Sequence, residues 1–119
     1  MKRPVHFEIS ADNPEKIADF YRAALDWEVT SWGGPSPYWL VTTGPEGAPG
    51  INGGIMKRHF SQGVINTIAV DSLKESVSKV ETAGGKVVLG PNEIPGIGTH
   101  VYCEDPEGNL FGLLQPKMK

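Results

Sequence analysis

The spacing of hydrophobic and polar positions changes along this chain in the same way twice. Residues 5–9 (VHFEI) alternate, as a strand with one covered face does. The period then lengthens, with Ile17, Phe20, Tyr21 and Ala24 falling on one face of a predicted helix. Asp12 and Asn13 are good caps for that helix, Pro14 suits its first turn, and Glu15 stands three residues after Asp12, as in a capping box. Three strands are predicted next, at 27–32, 37–43 and 51–56, punctuated by Gly33-Gly34-Pro35 and Gly44-Pro45-Glu46-Gly47.

From Val64 the order repeats. A strand is predicted over 64–70, then a helix opened by the capping box Ser72-Leu73-Lys74-Glu75, striped by Leu73, Val77 and Val80, and stopped by Gly84-Gly85. Strands follow at 86–89, 99–103 and 109–114, the last two joined by the turn Asp105-Pro106-Glu107-Gly108-Asn109. The pattern is βαβββ, twice. A shift of 59 lays Asp12 on Asp71, and a shift of 58 lays NGGIM (52–56) on LFGLL (110–114), so that Gly54 falls on Gly112. No linker separates the halves, so the expectation is one α+β domain over 1–119, with module one at about 4–58 and module two at about 63–116. Gly112 raises a question of its own, because a glycine inside a strand often marks a place where something approaches the backbone closely.

Composition narrows the function classes. With 39% hydrophobic and 21% charged residues and a net charge of −3, the chain has an ordinary globular composition. It carries no basic stripe, which argues against nucleic acid, and no apolar run long enough to span a bilayer. A cytoplasmic protein with neither partner is expected. Cys103 is the only cysteine, so an intrachain disulfide and multi-cysteine metal or redox motifs are excluded. Its neighbours Glu104 and Asp105 make an acidic setting, and a packing role is expected for it rather than a nucleophilic one.

The doubled βαβββ order, with HFEI (6–9), FYRAALDWEV (20–29) and EDPEGN (104–109), resembles the vicinal oxygen chelate superfamily. That superfamily includes glyoxalase I, extradiol dioxygenases, and fosfomycin- and bleomycin-resistance proteins. The resemblance runs from Pro4 to Pro116. GGKV (84–87) followed by EIPGIGTHVYCEDPEGNLFGLLQP (93–116) is similar to the small glyoxalase-like proteins of bacteria. The resemblance implies curved mixed sheets around a cavity. In the enzymes, that cavity holds a divalent metal through His and Glu on the first and last strands of each half. Carried over by position, those places fall on His6, Gly54, Ile65 and Gly112. One histidine is left where catalytic sites commonly supply three protein ligands, so no metal cofactor is expected, a divalent cation at His6 being the alternative.

Strand alternation puts Glu8 on the face of His6, and gives His100 and Tyr102 one parity. A remodelled metal set of His6, Glu8 and His100 is one reading; polar residues lining a cavity is the other. Trp32 and Trp39 are candidates for the mouth and Tyr102 for the floor, with Glu8 and Thr67 among the polar groups, and Gly54 and Gly112 letting a ligand approach the sheet. The tryptophans filling a small core is the competing assignment. The loop expected over GPNEIPGIG (90–98) is long for a tight hairpin, and is either a lid or an ordinary connection. His59 is expected at the surface.

Two function classes follow: a metal-independent small-molecule binding protein, or an enzyme acting on a small oxygenated substrate with His6 or His100 as acid/base. A metal-dependent lyase, isomerase or dioxygenase is a further alternative. The superfamily resemblance and the open sheet edges also imply a homodimer.

Overall fold

The computed structural model describes residues 2–33 and 37–117. Strand β1 (Arg3–Ala11) leads into helix α1 (Pro14–Leu25), then β2 (Glu28–Ser31), β3 (Tyr38–Thr42) and β4 (Asn52–Lys57). Strand β5 (Val64–Ala69), helix α2 (Leu73–Thr82), β6 (Lys86–Ile94), β7 (Gly98–Glu104) and β8 (Leu110–Pro116) repeat the order. The fold is the predicted α+β one. The chain divides into two units, residues 6–65 and residues 66–119 together with 1–5. The turn expected at Gly33-Gly34-Pro35 falls largely outside the described residues.

In the unit of residues 6–65 the strands run in the order β2-β3-β4-β1, antiparallel except for the parallel pair β1 and β4. A parallel pair needs a crossover, and the stretch between β1 and β4 supplies it, carrying α1. Ala11, Ala18, Val29, Val41 and Ile55 form the core beneath α1, flanked by Phe7, Ile17, Tyr21, Trp27 and Trp39. The other unit has the order β5-β8-β7-β6, again with one parallel pair, β5 and β8. Its core is Val70, Leu73, Val101, Cys103 and Leu113. Cys103 is fully buried there, and burial pushes its thiol above the ordinary value, with the charge of Glu81 adding to the effect. Neither helix is long and apolar enough to cross a membrane.

Several local expectations are corrected. Asn13 caps α1, its Oδ1 accepting from Lys16 N–H at 3.2 Å. Asp12 instead accepts from Arg58 Nε at 3.0 Å, and Glu15 accepts from the Trp39 indole, so no capping box forms. Phe20, expected inward, is 58% exposed, because Pro14 and Ala18 take the buried positions of α1 and leave Phe20 on the opposite side. The stretch 90–98 is not a long loop. Strand β6 continues through Ile94 with register shifts between Val87 and Asn92, and Gly98 already belongs to β7. Gly90 (φ +101°) and Pro91, which has no N–H to donate, break the pairing inside a continuing strand, as a bulge does.

The second helix follows its sequence signal. Ser72 Oγ accepts from Glu75 N–H at 3.2 Å, and the chain leaves α2 through Gly84 at φ +103°. The turn of the last hairpin is built on Asp105, whose Oδ1 accepts from the N–H groups of Glu107 and Asn109, both at 2.9 Å, and whose Oδ2 accepts from the Asn109 side chain at 2.9 Å. The side-chain bond from Asn109 is the main reason that the Asp105 carboxyl lies below its ordinary value, its backbone bonds adding to it.

Two measurements check these assignments. Asn13→Ala is expected to destabilise the protein by about 1 kcal/mol, whereas Asp12→Ala, which removes an exposed ion pair, changes stability by less than about 0.5 kcal/mol; urea unfolding separates the two. The Asp105 carboxyl titrates lower in the folded than in the unfolded chain, so its stabilisation is fully present above the ordinary value of 3.8 and is lost as pH falls through the depressed one. The melting-temperature gap between wild type and Asp105→Ala is therefore expected to be constant from neutral pH down to about 4 and to narrow below it.

Candidate functional site

The two units use one structural device at the glycines singled out in the sequence. In the unit of residues 6–65, Glu8 on β1 is the register partner of Gly54 on β4. Tyr38 on β3 pairs with Met56, two residues beyond that glycine, and reaches back diagonally over it. A Cβ at Gly54 would overlap the Tyr38 hydroxyl and ring. In the other unit, Thr67 on β5 partners Gly112 on β8. His100 on β7 pairs with Leu114, two residues beyond Gly112, and its imidazole lies over that glycine. The close approach that glycine permits is thus made, in each unit, by a side chain from the neighbouring strand. Where the sequence led us to expect a ligand to approach the sheet at Gly54 and Gly112, the protein's own Tyr38 and His100 do so.

Around Gly54 the side chains form a connected polar group. The Tyr38 hydroxyl donates to Glu8 Oε2 at 3.0 Å and stands 2.8 Å from His6 Nε2. The His6 and Tyr38 ring planes are nearly parallel, inclined by 14°. Glu8 is 8% exposed, so its carboxylate is a buried acceptor. His6 is largely buried, and burial holds its imidazole below the ordinary value, with the negative charge of Glu8 opposing. Trp32 packs edge-on to Tyr38 at 6.1 Å. Trp39, expected with Trp32 at a cavity mouth, points to the opposite face, as the residue after Tyr38 on a strand must. It packs against the core, and its indole N–H donates to Glu15 Oε1 at 3.0 Å.

Around Gly112 the group is Thr67, His100 and Tyr102. Thr67 and His100 are buried, and the His100 and Tyr102 rings meet edge-to-face at 4.5 Å. Tyr102 is the register partner of Gly112. His59 is exposed, as expected. Clefts of about 370 Å³ beside the β6–β7 turn and about 400 Å³ around residues 42–52 contain none of these side chains.

Tyr38 was missed as a site residue. Its counterpart His100 sits at a different offset along the chain from that relating Gly54 to Gly112, so sliding one half over the other does not align them. The hairpin register does, and it is the signal that finds Tyr38.

Three of the four positions to which the resemblance carries metal ligands offer no donor side chain. Gly54 and Gly112 have no donor atoms, Ile65 is a fully buried hydrocarbon, and His6 Nε2 already meets the Tyr38 hydroxyl. Among the described residues, no group of three or more His, Cys, Asp or Glu side chains is arranged to hold a metal ion.

Comparison with known proteins agrees with the fold. A family model for the glyoxalase-like domain matches residues 6–114. A Mycobacterium bovis protein provisionally named glyoxylase CFP32 is 38% identical over 48 residues, 40% of this chain and 18% of its own length. The anthracycline biosynthesis protein DnrV of Streptomyces peucetius is 24% identical over 127 residues, 92% of this chain and 46% of its own. The chain thus spans less than half the length of these curated relatives. The crystal structure of methylmalonyl-CoA epimerase from Mycobacterium tuberculosis superposes with a TM-score of 0.70 at 12% identity, covering 97% of this chain and 88% of that one. The chain belongs to the glyoxalase-like domain family and, with it, to the vicinal oxygen chelate superfamily.

Proposed function

We propose that this protein binds a small molecule through the polar group gathered around Gly54, without the divalent metal used by the superfamily's enzymes. One observation carries the reading: where the resemblance places metal-binding carboxylates, the chain has glycines, and Tyr38 and His100 fill the space over them. In the unit of residues 6–65, an aromatic hydroxyl, a buried carboxylate, one imidazole and Trp32 then supply what a small-molecule site uses, apolar surface with a few fixed polar groups. The relatives support a small oxygenated ligand, one being named for anthracycline biosynthesis and a structural neighbour being a methylmalonyl-CoA epimerase. A second reading, acid/base catalysis on such a molecule, is favoured by the His6–Tyr38–Glu8 chain of contacts. A homodimer belongs to the same proposal.

Metal content tests the reading directly. After incubation with Ni²⁺, Zn²⁺, Mn²⁺ or Fe²⁺ and desalting, tag-free protein is expected to retain far less than one equivalent, and no more than His6→Ala retains. A stoichiometric ion lost in His6→Ala overturns the proposal. The close packing at the second glycine gives an independent check. A Cβ on Gly112 would come within 2.5 Å of His100 Nε2, so Gly112→Ala is expected to destabilise the protein by about 1–3 kcal/mol. In the double variant with His100→Ala, the added penalty of the alanine falls to near zero in a denaturation cycle.

A further inference from the structure

The contacts of the Tyr38 hydroxyl determine more than its own position. A phenol has one proton to donate, and Tyr38 gives it to Glu8 Oε2. The contact with His6 Nε2 at 2.8 Å therefore runs the other way: Nε2 carries a hydrogen and donates it to the phenol oxygen. In the neutral ring the remaining nitrogen, Nδ1, then has a lone pair and no hydrogen. Burial, which keeps the imidazole below its ordinary value, favours that neutral ring.

Nδ1 has no hydrogen-bond partner among the described residues, since the Tyr38 contact is made by Nε2. His6 itself is only partly buried. His6 thus combines a nitrogen held by Tyr38 with a basic nitrogen that no described residue engages. A carboxylate fixes a hydroxyl, the hydroxyl fixes a ring, and the ring presents an acceptor, which is the logic of an orienter behind a base.

We propose that His6 Nδ1 is an open hydrogen-bond acceptor for the O–H group of a small ligand such as a phenol or enol, with Tyr38 and Glu8 as the residues that position it. This deepens the metal-free reading above and rests on it. The ligand's O–H donates to Nδ1. When the ligand is acidic enough, its proton moves onto Nδ1, giving an imidazolium beside an oxyanion, with the positive charge facing Glu8 through Tyr38. No other reactant is needed.

Long-range proton–nitrogen NMR of ¹⁵N-histidine-labelled protein tests this, His6→Gln assigning the ring. The wild-type His6 ring is expected in the Nε2–H form, with Nδ1 unprotonated, and added phenol is expected to shift Nδ1 more than Nε2. In Tyr38→Phe the ring loses its acceptor and is expected to populate both tautomers. Glu8→Gln, whose amide oxygen still accepts from Tyr38, keeps the wild-type form, whereas Glu8→Leu does not. An Nδ1–H form in the wild type, or a wild-type Nδ1 resonance indifferent to phenol, overturns the proposal. Because wild-type spectra decide, a variant that fails to fold does not protect it. Metal bound at His6 would instead overturn the reading on which it rests.

Discussion

The contact between the Tyr38 ring and the bare backbone at Gly54 organises the unit of residues 6–65. Strand β4 carries two glycines in succession, and each is covered from a different side. A Cβ on Gly53 would strike Phe7, and one on Gly54 would strike Tyr38. The strand is therefore thin on both faces, and an aromatic ring lies close against each. That closeness puts the Tyr38 oxygen between His6 and Glu8, two residues apart on one face of β1. With any side chain at position 54 the ring would stand further out, and the hydroxyl would lose its distances to both. A steric fact about a strand thus fixes the polar geometry on its surface.

The second unit applies the same steric rule to different chemistry. Gly112 admits His100 as Gly54 admits Tyr38, but the register partner of the glycine is Thr67 instead of Glu8. A carboxylate, a phenol and an imidazole form a hydrogen-bonded series in one unit. In the other, an imidazole lies over the glycine between a threonine and an edge-on tyrosine. The repeated fold sets where such groups stand, and the side chains determine what each set can do.

Much of this was legible in the sequence. The element order could be read because each helix begins with its own cap signal and the strands are bounded by glycine and proline. Gly54 and Gly112 stood out because glycine is a poor strand residue. The occupants of the space above them were hidden, since which residue reaches over a glycine depends on hairpin register, and the connection between β3 and β4 is long. Asp12 failed as a cap for a similar reason: a distant partner, Arg58, competes for its carboxylate. Stretch 90–98 looked like a loop because a local reading cannot distinguish a strand that bulges around Gly90-Pro91 from one that ends there.

The pairing of Gly54 with Tyr38 also bears on how such a protein can change over evolutionary time. With Tyr38 seated over Gly54, no single substitution can place a long side chain at position 54 without displacing that ring. Introducing one requires the aromatic to leave first, and its departure strips Glu8 and His6 of their shared hydroxyl. The glycine and the tyrosine are thus coupled, and a change at either position limits what the other can become.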